Sequence, residues 1–308
     1  MKDILLSCVV DRHPRFYVEL VLWAHCVARY VPRQQVKAVV HFVGEAEPEL
    51  AAWLATLDIE SRTSGEVVAG SPHCNKIHPF LEPGTEDFAS IVVTDADVYF
   101  VADPLPLIRA GCISAPPNNH GNPPTAVYRS ILDKCLPGRH VRPGLSLFPG
   151  DGGTRETFDT NISAGIVAIP GADAAAFAGR WKAWAEWLVA NRELLGRWAV
   201  HVDQVAFSLA LEETGRINVA LPPNVNAVLE LLPELETVYA MHLTTGHIPQ
   251  FAARFGANRH LDASGYRPGV GEAVGRLNAC VDAAMEDLAR LRATRDYRHM
   301  FLNPYWTR

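Results

Sequence analysis

Residues Ile91 to Phe100 read IVVTDADVYF. A β-branched apolar run, Ile91-Val92-Val93, leads through Thr94 into Asp95-Ala96-Asp97, and a second apolar step, Val98-Tyr99-Phe100, follows. Apolar on both faces and broken by polar residues, the run predicts a fully buried strand with the aspartates at its tip. Two carboxylates one residue apart at a strand end converge poorly on each other. They converge well on a hard cation just off the tip, which takes carboxylate oxygens and keeps positions open for phosphate oxygens. A bare D-x-D also reads as a solvated acidic turn after a core strand, and the rest of the chain decides between the two.

At 308 residues the chain is one large domain or two modest ones, with ample material for a core. Its hydrophobic content of 48% and charged content of 20% are those of an ordinary globular enzyme. A net charge of −6 argues against a general nucleic-acid binder. No apolar run approaches the ~20 residues of a membrane span. The opening MKDILLSCVVDRHP is cut short by Asp11, Arg12 and His13, and reads as a first core strand rather than a signal peptide. The cysteines (8, 26, 74, 112, 135 and 280) are scattered, with no C-x-x-C pair, as reduced buried thiols are, which predicts a cytoplasmic protein. His73, Cys74 and His78 lie close together but have no second cluster to complete them, so no zinc site is expected.

The elements that must hold the aspartates follow from periodicity. Ile4 to Val10 reads as strand one, then a helix runs to about Tyr30 with Phe16, Leu20, Trp23 and Val27 on one stripe. Val36 to Val43 is strand two, Pro48 to Leu57 a helix, Glu66 to Ala69 a short third strand, and His73 to Leu81 a helix. Strands alternating with helices, each strand apolar throughout, predict an α/β fold with a mostly parallel sheet. Ligands of such sheets bind at the carboxyl ends of the strands, where Asp95 and Asp97 fall.

Residues 115 to 153 differ in kind. APPNNHGNPP, LPGRHVRPG and FPGDGG surround one helix, Ala126 to Cys135, and predict turns and loops rather than a second core. Such an excursion suits a lid, a partner-binding surface or a disordered insertion. Next, residues 158 to 171 read as a strand with polar residues first and Gly165 inside, which marks close approach by another chain or a ligand. Helices are expected over Ala172 to Asn191 and His201 to Glu212, and strands over Asn218 to Leu221 and Thr237 to Leu243. A long amphipathic helix from Pro268 to about Arg292 precedes the tail RDYRHMFLNPYWTR.

Several motifs stand in a fixed order: Val9-Val10-Asp11, Asn75-Lys76, Asp95-Ala96-Asp97, Asn161-Ile-Ser-Ala-Gly165-Ile-Val, Asp203-Gln204, Leu221-Pro-Pro-Asn224-Val-Asn226, then His242 with Gly246. This order resembles the GT-A glycosyltransferases, and within them family 8, the glycogenin and lipopolysaccharide galactosyltransferase type. The resemblance spans roughly residues 3 to 250. It implies a GT-A fold, Rossmann-like, with a mixed but mostly parallel sheet flanked by helices, and a C-terminal helical extension. The expected division is 1–262 for the catalytic domain and 263–308 for the terminal helix and tail.

The resemblance also implies roles. Asp95, Asp97 and His242 would hold Mn²⁺ (or Mg²⁺), which bridges the diphosphate of a nucleotide sugar, with a UDP-sugar as donor. Where the family has H-x-x-G-x-x-K-P-W, this chain has HLTTGHIPQ, with glycine one place later and no Lys-Pro-Trp. His247, beside Gly246, is therefore the other candidate third ligand, and both residues fall among the donor contacts. Lys76, with Asn75, resembles the basic position that neutralises the leaving diphosphate. Cys8, Val9, Val10 and Asp11 resemble the nucleoside pocket, and Thr94, Ala96 and Gly165 line the same donor site. Asn161, Asp203 and Gln204 match positions that face the donor sugar, and family 8 enzymes retain anomeric configuration. The acceptor is left open between a glycan, a lipid, a protein and a small molecule.

Two other classes compete. A haloacid-dehalogenase-type phosphatase also uses an apolar strand followed by D-x-D-x-[TV], but that motif opens its domain, whereas three strand-like segments come first here. A non-catalytic sugar-nucleotide binder on the same scaffold is consistent with the missing Lys-Pro-Trp. The glycines of GVGEAVG follow Arg267-Pro268 rather than a strand, so a dinucleotide site fails in context. In the tail, Arg290, Arg292, Arg295 and Arg298 with Tyr297, Phe301, Tyr305 and Trp306 suit either a peripheral membrane contact or packing back on the domain, and packing is favoured.

Overall fold

A computed structural model of the chain describes residues 3–12, 14–243 and 260–294. In chain order its elements begin with β1 (Ile4–Val10), α1 (Pro14–Tyr30), β2 (Val36–Val43), α2 (Pro48–Thr56) and β3 (Ile59–Ser64). A 3₁₀ segment, Pro72–Ile77, runs into the short helix α3 (His78–Leu81), and then come β4 (Ser90–Thr94) and β5 (Val98–Phe100). The middle of the chain holds α4 (Thr125–Cys135), β6 (Pro143–Leu145), β7 (Glu156–Phe158), β8 (Ile166–Pro170) and α5 (Gly171–Ala190). The last are α6 (Val202–Thr214), β9 (Ala240–His242) and α7 (Pro268–Thr294).

The main sheet has the order β3-β2-β1-β4-β8. β3, β2, β1 and β4 run parallel, and β8 is antiparallel to β4. This is the mixed, mostly parallel sheet that the alternation of elements predicts. Strand direction along the order reverses its connectivity between β1 and β4, which register Cys8 against Thr94 at their carboxyl ends. A crevice opens beyond such a switch point, and both Asp11 and Asp95 stand at it.

Both faces of the sheet are buried, as near-continuous apolar strands require. Leu6, Cys8, Val40, Phe42, Val92 and Ala168 point to one face, covered by α1, α2 and α7. Leu5, Val39, Ile91, Val93, Val167 and Ile169 point to the other, covered by α3 to α6. On α1 the stripe of Leu20, Trp23 and Val27 is fully buried, worth about 1.5–3 kcal/mol for each such side chain removed from water. Trp23 also donates its indole N–H to Thr94 Oγ1 at 2.9 Å, tying α1 to the tip of β4. The long C-terminal helix α7 buries Val270, Val274, Leu277, Val281 and Leu288 at helical spacing and packs against α1.

Some sequence expectations are corrected. Residues 66–69 form bends and a turn, and the third strand is Ile59–Ser64. Asn75 Oδ1 captures the Val67 N–H and Ser71 takes the Val68 carbonyl, so no ladder forms there. β3 escaped notice because IESRTS is an edge strand with little apolar signal. Residues 218–221 are extended and lie parallel to 113–115, but no regular strand forms. They are held by one bridge, by backbone bonds from Val219 N–H to the Ile113 carbonyl and from Leu221 N–H to the Ala115 carbonyl, and by the Asn218 side chain on both backbone groups of Ala115. The strand expected over 158–171 is regular only at Ile166–Pro170, and that over 237–243 only at Ala240–His242. The 115–153 excursion does contribute to the core: Tyr128, Ile131 and Leu132 of α4 are buried, and Tyr128 stacks on Phe158 with ring centroids 3.8 Å apart.

Candidate functional site

The sheet ends, and the site begins, at Asp95. Its N–H still donates to the Gly165 carbonyl at 2.9 Å, and its own carbonyl accepts from Val98 at 3.2 Å. The strand ends with the aspartates just off its tip, and Asp95-Ala96-Asp97 forms the turn between β4 and the second apolar step, β5. β5 leaves the main sheet to pair with β9, in a register that sets Val98 opposite His242. Leu243 N–H closes the pairing on the Asp97 carbonyl at 2.9 Å. By this ladder a histidine distant in sequence arrives with Nε2 3.3 Å from Asp97 Oδ1.

Asp95, Asp97 and His242 thus present ligand atoms that all lie within 4.8 Å of one another. Burial works to lower the pKa of His242, but the charges of Asp97 and Asp95 outweigh it and hold the pKa above the ordinary histidine value. A proton on His242 is what these carboxylates attract when nothing else balances them, and a divalent cation competes for the same place. His242 Nδ1 is buried without a hydrogen-bond partner. Two hard oxygen donors and one imidazole suit Mn²⁺ or a similar first-row ion, so the residues present fit the group that the sequence implies.

Gly165 makes room for this arrangement. A Cβ at that position would lie 2.7 Å from His242 Cε1, 2.8 Å from Nδ1 and 3.0 Å from Asn226 Oδ1. Gly165→Ala should therefore push the imidazole aside while leaving every ligand residue in the chain. The expected outcome is a loss of about tenfold or more in Mn²⁺ affinity, read from the free-ion EPR signal, with the fold intact. Unchanged affinity would remove His242 from the ligand set.

Lys76 lies beside the carboxylates. Its ammonium stands 2.8 Å and 3.1 Å from the two oxygens of Asp95 and 3.3 Å from Asp203 Oδ2, and donates to the Ala164 carbonyl at 3.0 Å. Burial disfavours its charge, yet Asp95 and Asp203 more than compensate and raise the pKa above the usual lysine value. Lys76 is a fixed positive charge at any physiological pH. Its neighbour Asn75 donates to Asp11 Oδ1 at 2.9 Å, joining the 3₁₀ segment to the end of β1. Burial raises the pKa of Asp11, although the Asn75 hydrogen bond opposes this.

Asp203, Gln204 and Asn161 come together from separate parts of the chain. Asp203 opens α6 and is only 3% exposed, and Trp181 Nε1 donates to its carbonyl at 2.8 Å. Gln204 Oε1 accepts from Asn118 Nδ2 at 3.2 Å and lies 3.2 Å from His201 Nδ1. Asn118 Nδ2 also reaches Asn161 Oδ1 at 3.4 Å and the Asn122 carbonyl at 2.7 Å. Asn161 Nδ2 in turn donates to Thr157 Oγ1 at 2.7 Å and to Asn122 O at 3.0 Å. The proline-rich 115–153 segment is therefore bonded directly to the residues read as facing a sugar. Asn118, not singled out from the sequence, is the hub of that network. Asn226, at the end of the Leu221-to-Asn226 motif, also reaches the site: it donates to Ser163 Oγ at 3.1 Å and leaves Oδ1 buried and unpaired beside Gly165.

Other expected contacts are narrowed. The side chains of Cys8 and Val10 are buried in the core, and burial, with Asp95 and Asp97 next, pushes the Cys8 thiol far up. Of Cys8, Val9, Val10 and Asp11, only Val9 and Asp11 keep partial exposure. Thr94 is occupied by Trp23, and Ala96 is 5% exposed. Gly246, His247 and the aromatic tail lie outside the described residues.

No family model matches the chain, and no curated protein matches it. Among solved structures, it is similar to the galactosyltransferase LgtC in complex with donor and acceptor sugar analogs: TM-score 0.55 and 12% identity over 91% of this chain and 95% of that one. The apo-form glycosyltransferase GlyE of Streptococcus pneumoniae aligns with TM-score 0.53 and 8% identity, over 93% of this chain and 64% of that one. The bifunctional glycosyltransferase WbbM aligns with TM-score 0.51 and 12% identity, over 94% of this chain and 52% of that one. At such identities the likeness is one of fold, and the fold is GT-A.

Proposed function

We propose that this chain is a metal-dependent, retaining glycosyltransferase that moves a sugar from a nucleotide-sugar donor, a UDP-sugar, to an acceptor hydroxyl. One observation carries the reading. At the switch point of the sheet, Asp95, Asp97 and His242 converge on a cation-sized space and a buried, permanently charged Lys76 stands beside them. Departure of a nucleoside diphosphate develops negative charge, and such a cluster is built to receive it. A bound Mn²⁺ or Mg²⁺ supplies Lewis-acid stabilisation of the diphosphate oxygens, worth several kcal/mol.

The chain's own residues do the rest. Asp11, positioned by the buried Asn75, and Val9 take the nucleoside at the end of β1. Lys76 releases part of its hold on Asp95 to contact the diphosphate, and Asp203 keeps the ammonium in place from behind. Gln204, with Asn161 behind it through Asn118, faces the donor sugar, where a fixed amide dipole favours the developing positive charge of the anomeric centre. Asp203, buried against Lys76, suits an electrostatic role better than that of an exposed nucleophile. Asp95 and Asp97 are too close in sequence to flank a glycosidic bond as the paired carboxylates of a glycosidase do. The D-x-D closes the fourth strand in chain order, behind a GT-A sheet, which weighs against the phosphatase reading. The 115–153 segment is our proposed acceptor-side surface, since it brings Asn118 and the Asn122 carbonyl into the network around Gln204.

Calorimetric titration of UDP, with GDP as control, in Mn²⁺ and then in chelator tests the reading. Metal-dependent binding of UDP in preference to GDP is the expected result, followed by slow hydrolysis of one UDP-sugar in a screen. Binding without turnover of any UDP-sugar favours the non-catalytic scaffold, and no binding to either nucleotide by folded protein overturns the proposal.

A further inference from the structure

A second group of metal-ligating side chains lies away from the D-x-D turn. His41 on β2, His78 opening α3 and Glu82 just beyond α3 bring ligand atoms within 4.8 Å of one another. Glu82 Oε1 is 3.3 Å from His41 Nδ1 and 3.4 Å from His78 Nε2. In a tetrahedral site with bonds of about 2.0–2.1 Å, neighbouring ligand atoms are roughly 3.3–3.4 Å apart. Two edges of such a tetrahedron are therefore already set, and the third, between the two imidazoles, is no longer than 4.8 Å.

His41 gives the independent observation. It is 0% exposed, its ring lies 5.3 Å from that of His78, and neither ring nitrogen makes a hydrogen bond, Nδ1 having only the 3.3 Å ion-pair contact with Glu82 Oε1. A fully buried imidazole with no hydrogen bond at either nitrogen is rare, because each polar group taken from water without a partner carries a cost. The carboxylate beside it is held in place: Arg62 binds Glu82 Oε2 and leaves Oε1 turned to the histidines. Arg62 is itself balanced by Glu60, so the cluster is not already overcharged with cations. The sequence cluster His73-Cys74-His78 does not assemble here, since His73 is exposed and Cys74 Sγ lies 3.3 Å from Ser71 Oγ.

We propose that His41, His78 and Glu82 form a second divalent-cation site of zinc type, which ties β2 to the segment carrying Asn75 and Lys76. Two imidazoles and one carboxylate oxygen, with water in the fourth position, favour a borderline-soft ion over Mg²⁺ or Ca²⁺. The role is structural. Residues 72–82 hang from the sheet by few regular hydrogen bonds, and an ion at His78 fixes that segment two residues from Lys76.

The test needs no turnover, so it stands or falls apart from the proposed reaction. Asp97→Asn protein, stripped with chelator, is titrated with Co²⁺ and the visible d–d absorption is followed. One equivalent with the strong band of tetrahedral coordination, displaced by Zn²⁺, is expected. His78→Gln on the same background, at a half-buried position that tolerates the change, should lose the band. Glu82→Gln should weaken Co²⁺ binding at least about tenfold. Absence of the band in folded Asp97→Asn protein, or a band that survives both substitutions, overturns the site.

Discussion

Asp97→Asn should reduce kcat by on the order of a thousandfold or more, the equivalent of several kcal/mol of lost transition-state stabilisation. The substitution keeps size and shape but replaces an anionic oxygen that faces His242 across 3.3 Å. Stability should hardly move, with a melting temperature within about 3 °C of the parent. The position is at a turn, 8% exposed, and the change removes like-charge repulsion with Asp95 as well as attraction to His242. The diagnostic readout is UDP affinity measured twice. In Mn²⁺ it should fall, and in chelator it should equal that of the parent, because the metal-mediated part alone has been removed. Equal UDP affinity in Mn²⁺ for parent and variant, with turnover preserved, would dismiss Asp97 as a ligand.

Much of this site was legible because its strands are extreme. β4 is apolar on both faces and ends in polar residues, and β1 and β2 are nearly so, departing only at Ser7, Lys37 and His41, which is the composition of central parallel strands. The carboxylates at the tip of β4 could be placed at the sheet's carboxyl edge from that pattern alone. What the pattern could not carry was long-range pairing. His242 reaches Asp97 through the β5–β9 ladder, which has three residues on each side and little periodicity to detect. The resemblance in motif order named His242 where local propensity was silent. Asn118 was missed, and Asn226 was named in its motif without a role, for a different reason: an amide's partners are set by tertiary placement, and nothing in APPNNHGNPP distinguishes Asn118 from Asn119. The proline-rich composition of that stretch was read as detachment from the core. Proline limits backbone shape, however, and does not stop Tyr128 and Leu132 from being buried. The same limit hid His41 and Glu82, which meet only because β2 and the 72–82 segment share one face of the sheet.

Lys76 poses the harder problem, because it supports the fold and the proposed chemistry at once. Lys76→Met leaves the Asp203 carboxylate, 4% exposed as a side chain, with no lysine or arginine beside it among the described residues. Removing one partner of a buried pair costs about 3–5 kcal/mol, since the remaining charge stays desolvated. The single variant should therefore be both inactive and markedly unstable, and its inactivity alone says nothing about chemistry. Lys76→Met/Asp203→Asn separates the two effects. With both buried charges gone, and Asp95 one-third exposed and able to draw on water, stability should return to within about 1 kcal/mol of the parent. Turnover should not return. The developing diphosphate charge would still lack its ammonium, and the loss of one such preorganised group costs about 10²–10³ in kcat. Asp203→Asn alone completes the cycle, because it leaves Lys76 charged and held by Asp95 and the Ala164 carbonyl. It should lose less activity than the double variant. If the double variant instead recovers both melting temperature and kcat, Lys76 serves only to neutralise Asp203, and the leaving-group charge must be met by the metal site alone.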